Sequence, residues 1–174
     1  MRITRLLVGI VLPAVLGIGC SDRKENKPAT AKSASAAPAK LAFPYVVPIS
    51  AQTPHNIGSF DQKLGAMVAR KNDTGALVFG PYLELEQGQY QVTFSLSAGG
   101  GQDESIGKVD VNAFSDTRPD NPVVDKELRR AKKDQNITLD FSSVPGKKYE
   151  FRVWANGNGS LSVKKITLDR KTQG

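Results

Sequence analysis

Apolar and polar residues alternate along most of the chain after residue 44. The clearest example is segment 89–96, in which Tyr90, Val92, Phe94 and Leu96 are separated by polar residues. Alternation of this kind places successive side chains on opposite faces of a strand, so it predicts a half-buried antiparallel strand. The pattern predicts further strands at residues 45–49, 66–69, 76–79, 82–86, 108–113, 136–141, 147–153 and 161–168.

Two segments depart from simple alternation. In the last predicted strand the parity changes at Lys164 and Lys165, which predicts a β-bulge that returns Ile166 to the face of Leu161. Segment 54–65 has no clear period, and it predicts a long loop or a single helical turn.

Turn signals separate the predicted strands at short intervals. They occur at residues 86–88, 98–101, 145–146 and 156–159. Many short alternating strands with such turns indicate an all-β fold, an antiparallel β-sandwich or barrel. We expect its core between two sheets, formed by Tyr90, Val92, Phe94, Val109, Val111, Ile137, Leu139, Phe141, Tyr149, Phe151 and Val153.

The first nineteen residues have the layout of a signal peptide, with two arginines, a short apolar stretch and then small residues. The run ending at Cys20, Leu-Gly-Ile-Gly-Cys, resembles the lipobox of bacterial lipoproteins, although Gly17 stands where a branched aliphatic residue is usual. The resemblance implies cleavage before Cys20 and acylation of its thiol. With Ser21 following, it also implies anchoring at the outer membrane of a bacterial cell envelope.

Two alternatives to the lipobox are a plain secretory signal and a transmembrane helix. A plain signal would leave the chain's only cysteine as a free thiol. The apolar stretch of residues 6–19 contains a proline and three glycines. It is also shorter than the roughly twenty residues that span a bilayer.

Composition divides the rest of the chain. Residues 20–40 contain no aromatic or large aliphatic side chain, which predicts a disordered linker. A β-sandwich domain is predicted at 41–170, followed by a short tail at 171–174. The net charge is +7, but removing the signal and linker leaves seventeen positive and fifteen negative residues in the domain. The basic run 129–133 has no aromatic residue for base stacking and predicts a solvated loop or edge strand, so no nucleic-acid partner is expected.

Segment 80–94, which reads GPYLELEQGQYQVTF, resembles the turn and G-x-Y-x-V-x-F strand of galactose-binding-like β-sandwiches. That superfamily includes many carbohydrate-binding modules, so the resemblance implies a jelly-roll sandwich and a glycan ligand. Some members hold a structural calcium with acidic residues near the first and last strands. The last strand here carries Lys164 and Lys165, so no metal site is expected from the resemblance.

The sequence offers few of the residues and motifs that catalysis needs. His55 is the only histidine, the G-x-S-x-G elbow of serine hydrolases is absent, and Gly99–Gly101 lacks the Lys-Ser/Thr of a phosphate loop. The carboxylates of Asp110, Asp116, Asp120 and Asp125 have no spacing that selects a hydrolytic pair. We therefore expect neither an enzyme nor a cofactor.

A sugar site needs an aromatic face and polar groups for the hydroxyls. Trp154 breaks the parity of the apolar row before it, so a regular strand would point it to the opposite face together with Arg152 and Glu150. Asn156 and Asn158 follow in a turn and could offer amides. The alternative is that Trp154 covers a sheet edge while the asparagines supply positive-φ turn geometry.

The loop 53–58 is a second candidate, since it could bring His55 and Asn56 to one end of the sandwich; a plain surface loop is the alternative. The sequence thus predicts a lipid-anchored, non-catalytic envelope protein whose sandwich binds cell-wall or surface glycan. The other hypothesis is a structural or assembly lipoprotein that docks another envelope protein through a sheet face.

Overall fold

The computed structural model describes residues 41–100, 104–114, 122–129 and 134–172. Within these ranges the chain forms eleven strands and no helix. The strands are β1 Tyr45–Val47, β2 Ser59–Asp61, β3 Ala66–Ala69, β4 Thr74–Val78, β5 Leu83–Glu84, β6 Gly88–Gly100, β7 Ser105–Phe114, β8 Pro122–Arg129, β9 Gln135–Ser143, β10 Lys148–Asn156 and β11 Gly159–Arg170. The predicted signal peptide, Cys20 and the linker lie outside the described residues.

The strands form two antiparallel sheets. In the six-stranded sheet the order is β2-β3-β11-β6-β9, and β1 also pairs with β11. In the five-stranded sheet the order is β4-β10-β7-β8, and β5 also pairs with β10. The predicted fold class, an all-β antiparallel sandwich, is confirmed. In the described part of the chain, no helix is long and apolar enough to cross a membrane.

The core lies between the two sheets and follows the alternation read from the sequence. Side chains from both sheets form one buried cluster, and every predicted core residue is buried except Ile137, which is partly buried. Tyr90 stacks on Phe141 with ring centroids 5.7 Å apart, and Phe141 lies 5.4 Å from Tyr149 and 6.2 Å from Phe151. These aromatic contacts join the six-stranded sheet to the five-stranded one.

The predicted bulge in the last strand is confirmed, because the register of β11 against β6 shifts between Val163 and Lys165. Two other predictions were wrong. Segment 54–65 contains β2, which pairs with β3. The predicted turn at residues 98–101 is strand up to Gly100, because Gly99 and Gly100 pair with β11. A Cβ on Gly159 would overlap the Gly99 carbonyl oxygen, so this close approach requires glycine.

The basic run that begins at Arg129 starts within the edge strand β8 and continues outside the described residues. Only Leu128 of β8 is buried, so most of its side chains are solvated or partly exposed. Charged side chains along an exposed edge oppose strand pairing with other chains.

Candidate functional site

The outer face of the five-stranded sheet carries a row of polar side chains. Strand β10 keeps a regular register with β7, which sets Glu150 opposite Asn112, Arg152 opposite Asp110 and Trp154 opposite Lys108. Residues directly opposite on one face lie close enough to interact. The predicted parity of Glu150, Arg152 and Trp154 is therefore found, since the intervening residues of β10 are buried in the core.

Burial of this polar row distinguishes it from an ordinary surface. Asp110 is 0% exposed, Asn112 1%, Glu150 5% and Arg152 7%. Arg152 donates from Nε to Asp110 Oδ1 at 2.6 Å and from Nη2 to Asp110 Oδ2 at 3.1 Å. Asn112 donates from Nδ2 to Glu150 Oε2 at 3.3 Å. Buried charges are tolerated only with such partners, so the row forms one connected network.

Trp154 lies at the end of this network and is partly buried. The guanidinium carbon of Arg152 is 5.3 Å from the centroid of the indole, and Lys108 Nζ is 6.0 Å from it. Cations at these distances are attracted by the ring. The register of β10 against β4 shifts between Val153 and Trp154. Such irregularities change the direction in which nearby side chains point, and this one lies directly before Trp154.

A cleft opens over the polar row, with a volume of about 210 Å³. Its walls combine aromatic rings with charged and amide groups. The lining residues are Asn56, Ala76, Phe79, Tyr82, Phe114, Glu150, Arg152 and Trp154. The rings of Tyr82 and Phe114 pack edge to face, with centroids 5.7 Å apart. The cleft therefore offers both apolar surface and hydrogen-bonding groups to one ligand.

Tyr82 reports on the electrostatics of the cleft. Burial raises the pKa of the Tyr82 phenol, and the Glu150 charge and a hydrogen bond to Glu150 raise it further, against a smaller lowering by Arg152. An anionic neighbour disfavours the phenolate. Glu150 therefore lies close enough to the Tyr82 hydroxyl to act on it at the cleft wall.

The structure brings three of the predicted site residues together in the cleft: Trp154, Arg152 and Asn56. Asn56 lies in the cleft because its loop is hydrogen-bonded to β4: the backbone N–H of Asn56 donates to the Ala76 carbonyl oxygen at 2.9 Å. His55 does not line the cleft. It is exposed, and its Nδ1 lies 2.7 Å from the Thr53 carbonyl oxygen of its own loop.

Asn156 and Asn158 are also outside the cleft lining. Their Nδ2 atoms donate to the Ser105 carbonyl at 2.8 and 3.0 Å, and the Asn158 amide donates to Asn156 Oδ1 at 3.1 Å. Both side chains thus brace the turn against β7. The positive φ of this turn is carried by Gly157, at 85°, and not by either asparagine.

Several residues of the site were not assigned by the sequence analysis. Phe79, Tyr82 and Phe114 stand at strand ends, where a single aromatic residue gives no periodic signal. Asp110 was named from the sequence only as one of four acids whose spacing selects no hydrolytic pair. Its burial follows from pairing with Arg152, 42 residues away, and no local pattern predicts such a partner.

The outer face of the six-stranded sheet is polar in a different way. Opposite residues of β6 and β9 form a ladder of side-chain hydrogen bonds, Gln89–Ser142, Gln91–Asp140, Thr93–Thr138 and Ser95–Asn136, at 2.8–3.4 Å. The polar side chains of this exposed surface thus serve as hydrogen-bond partners for one another. In the described residues, no group of three or more His, Cys, Asp or Glu side chains could hold a metal ion on either face.

The described domain is similar in fold to carbohydrate-binding modules of known structure. A module from Cellvibrio mixtus lichenase 5A, in complex with cellotriose, is 11% identical, with 74% of this chain and 98% of that chain covered and a TM-score of 0.44. The C-terminal CBM6 of LamC from Zobellia galactanivorans is 9% identical, with 72% and 99% covered and a TM-score of 0.46. The C-terminal domain of EclA, a sugar-binding protein, is 20% identical, with 66% and 84% covered and a TM-score of 0.42.

No protein-family model matches the chain, and no curated protein matches it. The likeness to solved structures concerns the fold alone. The fold class of this chain rests on its own strand pairing, described above.

Proposed function

We propose that this protein is a lipid-anchored, non-catalytic component of the bacterial cell envelope whose β-sandwich binds carbohydrate in the cleft beside Trp154. The observation that carries the proposal is the meeting of a partly exposed indole with Glu150, Arg152 and Asn56 around one cleft. The C–H face of a sugar ring packs on aromatic surface, while its hydroxyls need donors and acceptors within reach.

The dimensions of the cleft support a chain-like ligand. Its volume of about 210 Å³ is below the roughly 300–1,000 Å³ of pockets that enclose drug-sized ligands. An open cleft of this size suits one or two sugar units, with the rest of a glycan running past its ends.

The indole nitrogen adds a second supporting observation. Trp154 Nε1 is buried and has no hydrogen-bond partner among the described residues. A buried, unpaired donor costs about 1–3 kcal/mol. A small turn of the ring toward the cleft would let a ligand oxygen accept from it, so binding should change the environment of the indole.

Binding without catalysis is favoured by the way the two buried carboxylates of the polar row, Asp110 and Glu150, are used. Asp110 is fully buried and held in two hydrogen bonds by Arg152. Glycoside hydrolysis needs a carboxylic acid and a carboxylate that both reach the scissile bond. With Asp110 beneath the guanidinium, Glu150 is left as a polar contact for a ligand.

A glycan array with the purified full-length protein tests the carbohydrate proposal. We expect binding to at least one cell-wall or surface glycan, and at least a tenfold loss of affinity in Trp154→Ala by calorimetry, as for other tryptophans that anchor an interface. The matched control is Phe60→Ala, which removes a partly buried ring from β2 in the other sheet. Equal affinity in wild type and Trp154→Ala would reject this site.

Membrane anchoring is tested separately. Cys20 in its lipobox-like run supports acylation, and each acyl methylene that enters the bilayer contributes about 0.8 kcal/mol to membrane affinity. Labelled palmitate should enter the wild type and be absent from Cys20→Ser. Labelling that is unchanged in Cys20→Ser would rule out this anchor.

A further inference from the structure

The two buried carboxylates of the cleft network are compensated unequally. Asp110 receives two hydrogen bonds from Arg152, at 2.6 and 3.1 Å, and Lys108 Nζ lies 3.7 Å from its Oδ2. Charge-assisted hydrogen bonds of this kind are the strongest a carboxylate makes in proteins. Within the described network, Arg152 therefore gives its shortest contacts to Asp110.

Glu150 has weaker partners. Its Oε2 accepts one hydrogen bond from Asn112 at 3.3 Å, the Tyr82 hydroxyl donates to its carboxylate, and Arg152 Nη1 lies 4.0 Å away. A carboxylate has about four acceptor positions on its two oxygens. Glu150 is 5% exposed and lines the cleft, so a buried charge with acceptor capacity to spare meets the ligand space.

The charges of the described residues on the surrounding sheet face are nearly balanced, although the whole chain carries +7. By register and by alternation along β8, the outer face of the five-stranded sheet carries five carboxylates in the described residues, Glu84, Asp110, Asp125, Glu127 and Glu150, and four cations, Lys108, Arg129, Lys148 and Arg152. Burial, and then the charge of Glu150 beside it, raise the pKa of the Tyr82 phenol. A cation is therefore drawn to the cleft by the local charge of Glu150 at its wall and not by a large net charge of the face.

We infer that the cleft accepts a glycan carrying a protonated amine, an amino sugar whose ammonium group contacts the Glu150 carboxylate between the rings of Tyr82, Phe114 and Trp154. The inference rests on the proposed carbohydrate function and names its ligand class. An ammonium group supplies three donors and a positive charge, which would add to the 4.0 Å contact between Glu150 and Arg152 Nη1. The aromatic faces around it add cation–π attraction.

Three β-1,4-linked tetrasaccharides of equal length test the inference: one of glucosamine, one of N-acetylglucosamine and one of glucose. At about pH 6, where a sugar amine is protonated, the glucosamine probe should bind the full-length protein roughly ten- to a hundredfold more tightly than the other two. This is the range expected for a hydrogen bond to a charged group. Trp154 is the only tryptophan, so its emission reports each titration.

The pH dependence gives a readout in the wild-type protein. The preference should vanish by about pH 9, because an amine of this kind has a pKa near 8. The groups facing Glu150 are Arg152 and Lys148 on β10, Asp110 and Asn112 on β7, and Tyr82 and Glu84 beside it on the β5 side. Carboxyl, lysine, arginine and tyrosine side chains ordinarily titrate outside this interval, so the change would report the ligand amine.

Substitution of Glu150 is the second test of the inference. Glu150→Gln should lower the affinity ratio between the glucosamine and glucose probes at about pH 6 to near one, whatever it does to the binding of the neutral probes. Glu127→Gln, which removes an exposed carboxylate from β8 on the same face, should keep the preference. If Glu150→Gln does not fold, the pH series in wild type decides.

The outcomes separate the two proposals. Neutral and amine probes binding equally at about pH 6 would overturn this inference and leave the carbohydrate function standing. A preference that survives in Glu150→Gln would also overturn it. No binding of any glycan, in this series and on the array, would contradict the carbohydrate function itself.

Discussion

Replacing Asp110 with asparagine should destabilise the domain far more than its near-identical shape suggests. The side chain is 0% exposed, and that of Arg152 is 8% exposed. Asparagine fills the same space, so no cavity contributes. It can accept from Arg152 with one oxygen only, and its own NH2 group would face the second guanidinium donor.

The size of the effect follows from burial. Removing one partner of a buried ion pair costs about 3–5 kcal/mol, because the remaining charge is left uncompensated. Glu150 stays 4.0 Å from Arg152 Nη1 and retains part of the compensation, so we expect about 3 kcal/mol. For a urea m-value of about 1.5–2 kcal/mol/M, the unfolding midpoint should fall by about 1.5–2 M.

Urea unfolding followed by circular dichroism measures this loss. The control is Glu84→Gln, which breaks an ion pair with Lys148 on the same sheet face, where the side chains are 56% and 53% exposed. Exposed pairs contribute about 0–1 kcal/mol, so the control midpoint should hardly move. A loss in Asp110→Asn of less than 1 kcal/mol, no larger than in the control, would refute the view that the buried pair organises this face.

Three further predictions concern packing and pH. Phe151→Ala should lose about 3–5 kcal/mol of unfolding free energy in urea titrations, since the ring is fully buried, and a loss below 1 kcal/mol would contradict its place in the core. Gly107→Ala should lower the melting temperature clearly, because a Cβ there would overlap a carbonyl oxygen of β10. Gly88→Ala is the control, because its Cβ would make ordinary contacts and should leave the melting temperature nearly unchanged. Equal melting temperatures for the two variants would argue against the β7–β10 register. Hydrogen bonds from lysines hold the pKa values of Asp134 and Asp140 below the ordinary 3.8. The ionised carboxylates of Asp134 and Asp140 therefore stabilise the fold above pH 3.8, and this stabilisation is lost as the pH falls through their pKa values in the folded protein. Changing both residues to asparagine should make the urea unfolding midpoint depend less on pH between about pH 5 and pH 2.

Period-two alternation predicted most of the sandwich because a strand between core and solvent must separate apolar from polar side chains. Strands β6, β9 and β10 were readable for this reason. Two strands escaped prediction. β2 has three residues, too few to show a period, and β8 is an edge strand with one buried side chain, so burial imposes little pattern on it.

The site could be predicted in part. Parity alone indicated that Trp154 and Arg152 share a face, because both lie on one strand. The burial of the polar side chains on that face could not be predicted, because it depends for Asp110 and Glu150 on how β7 pairs with β10. Asn156 and Asn158 suited a sugar site by chemistry, yet their amides are taken up by the Ser105 carbonyl, a contact across strands.

The central claim, that the cleft beside Trp154 binds carbohydrate, is tested most directly by nuclear magnetic resonance. A single tryptophan gives a single indole N–H signal. On titration with a glycan identified by the array, that signal and the backbone amides of Glu150 and Arg152 should shift together, while those of Thr93 and Ser95 on the opposite sheet stay in place. Saturating glycan that leaves the indole signal unmoved, or that shifts only the opposite sheet, would contradict the claim.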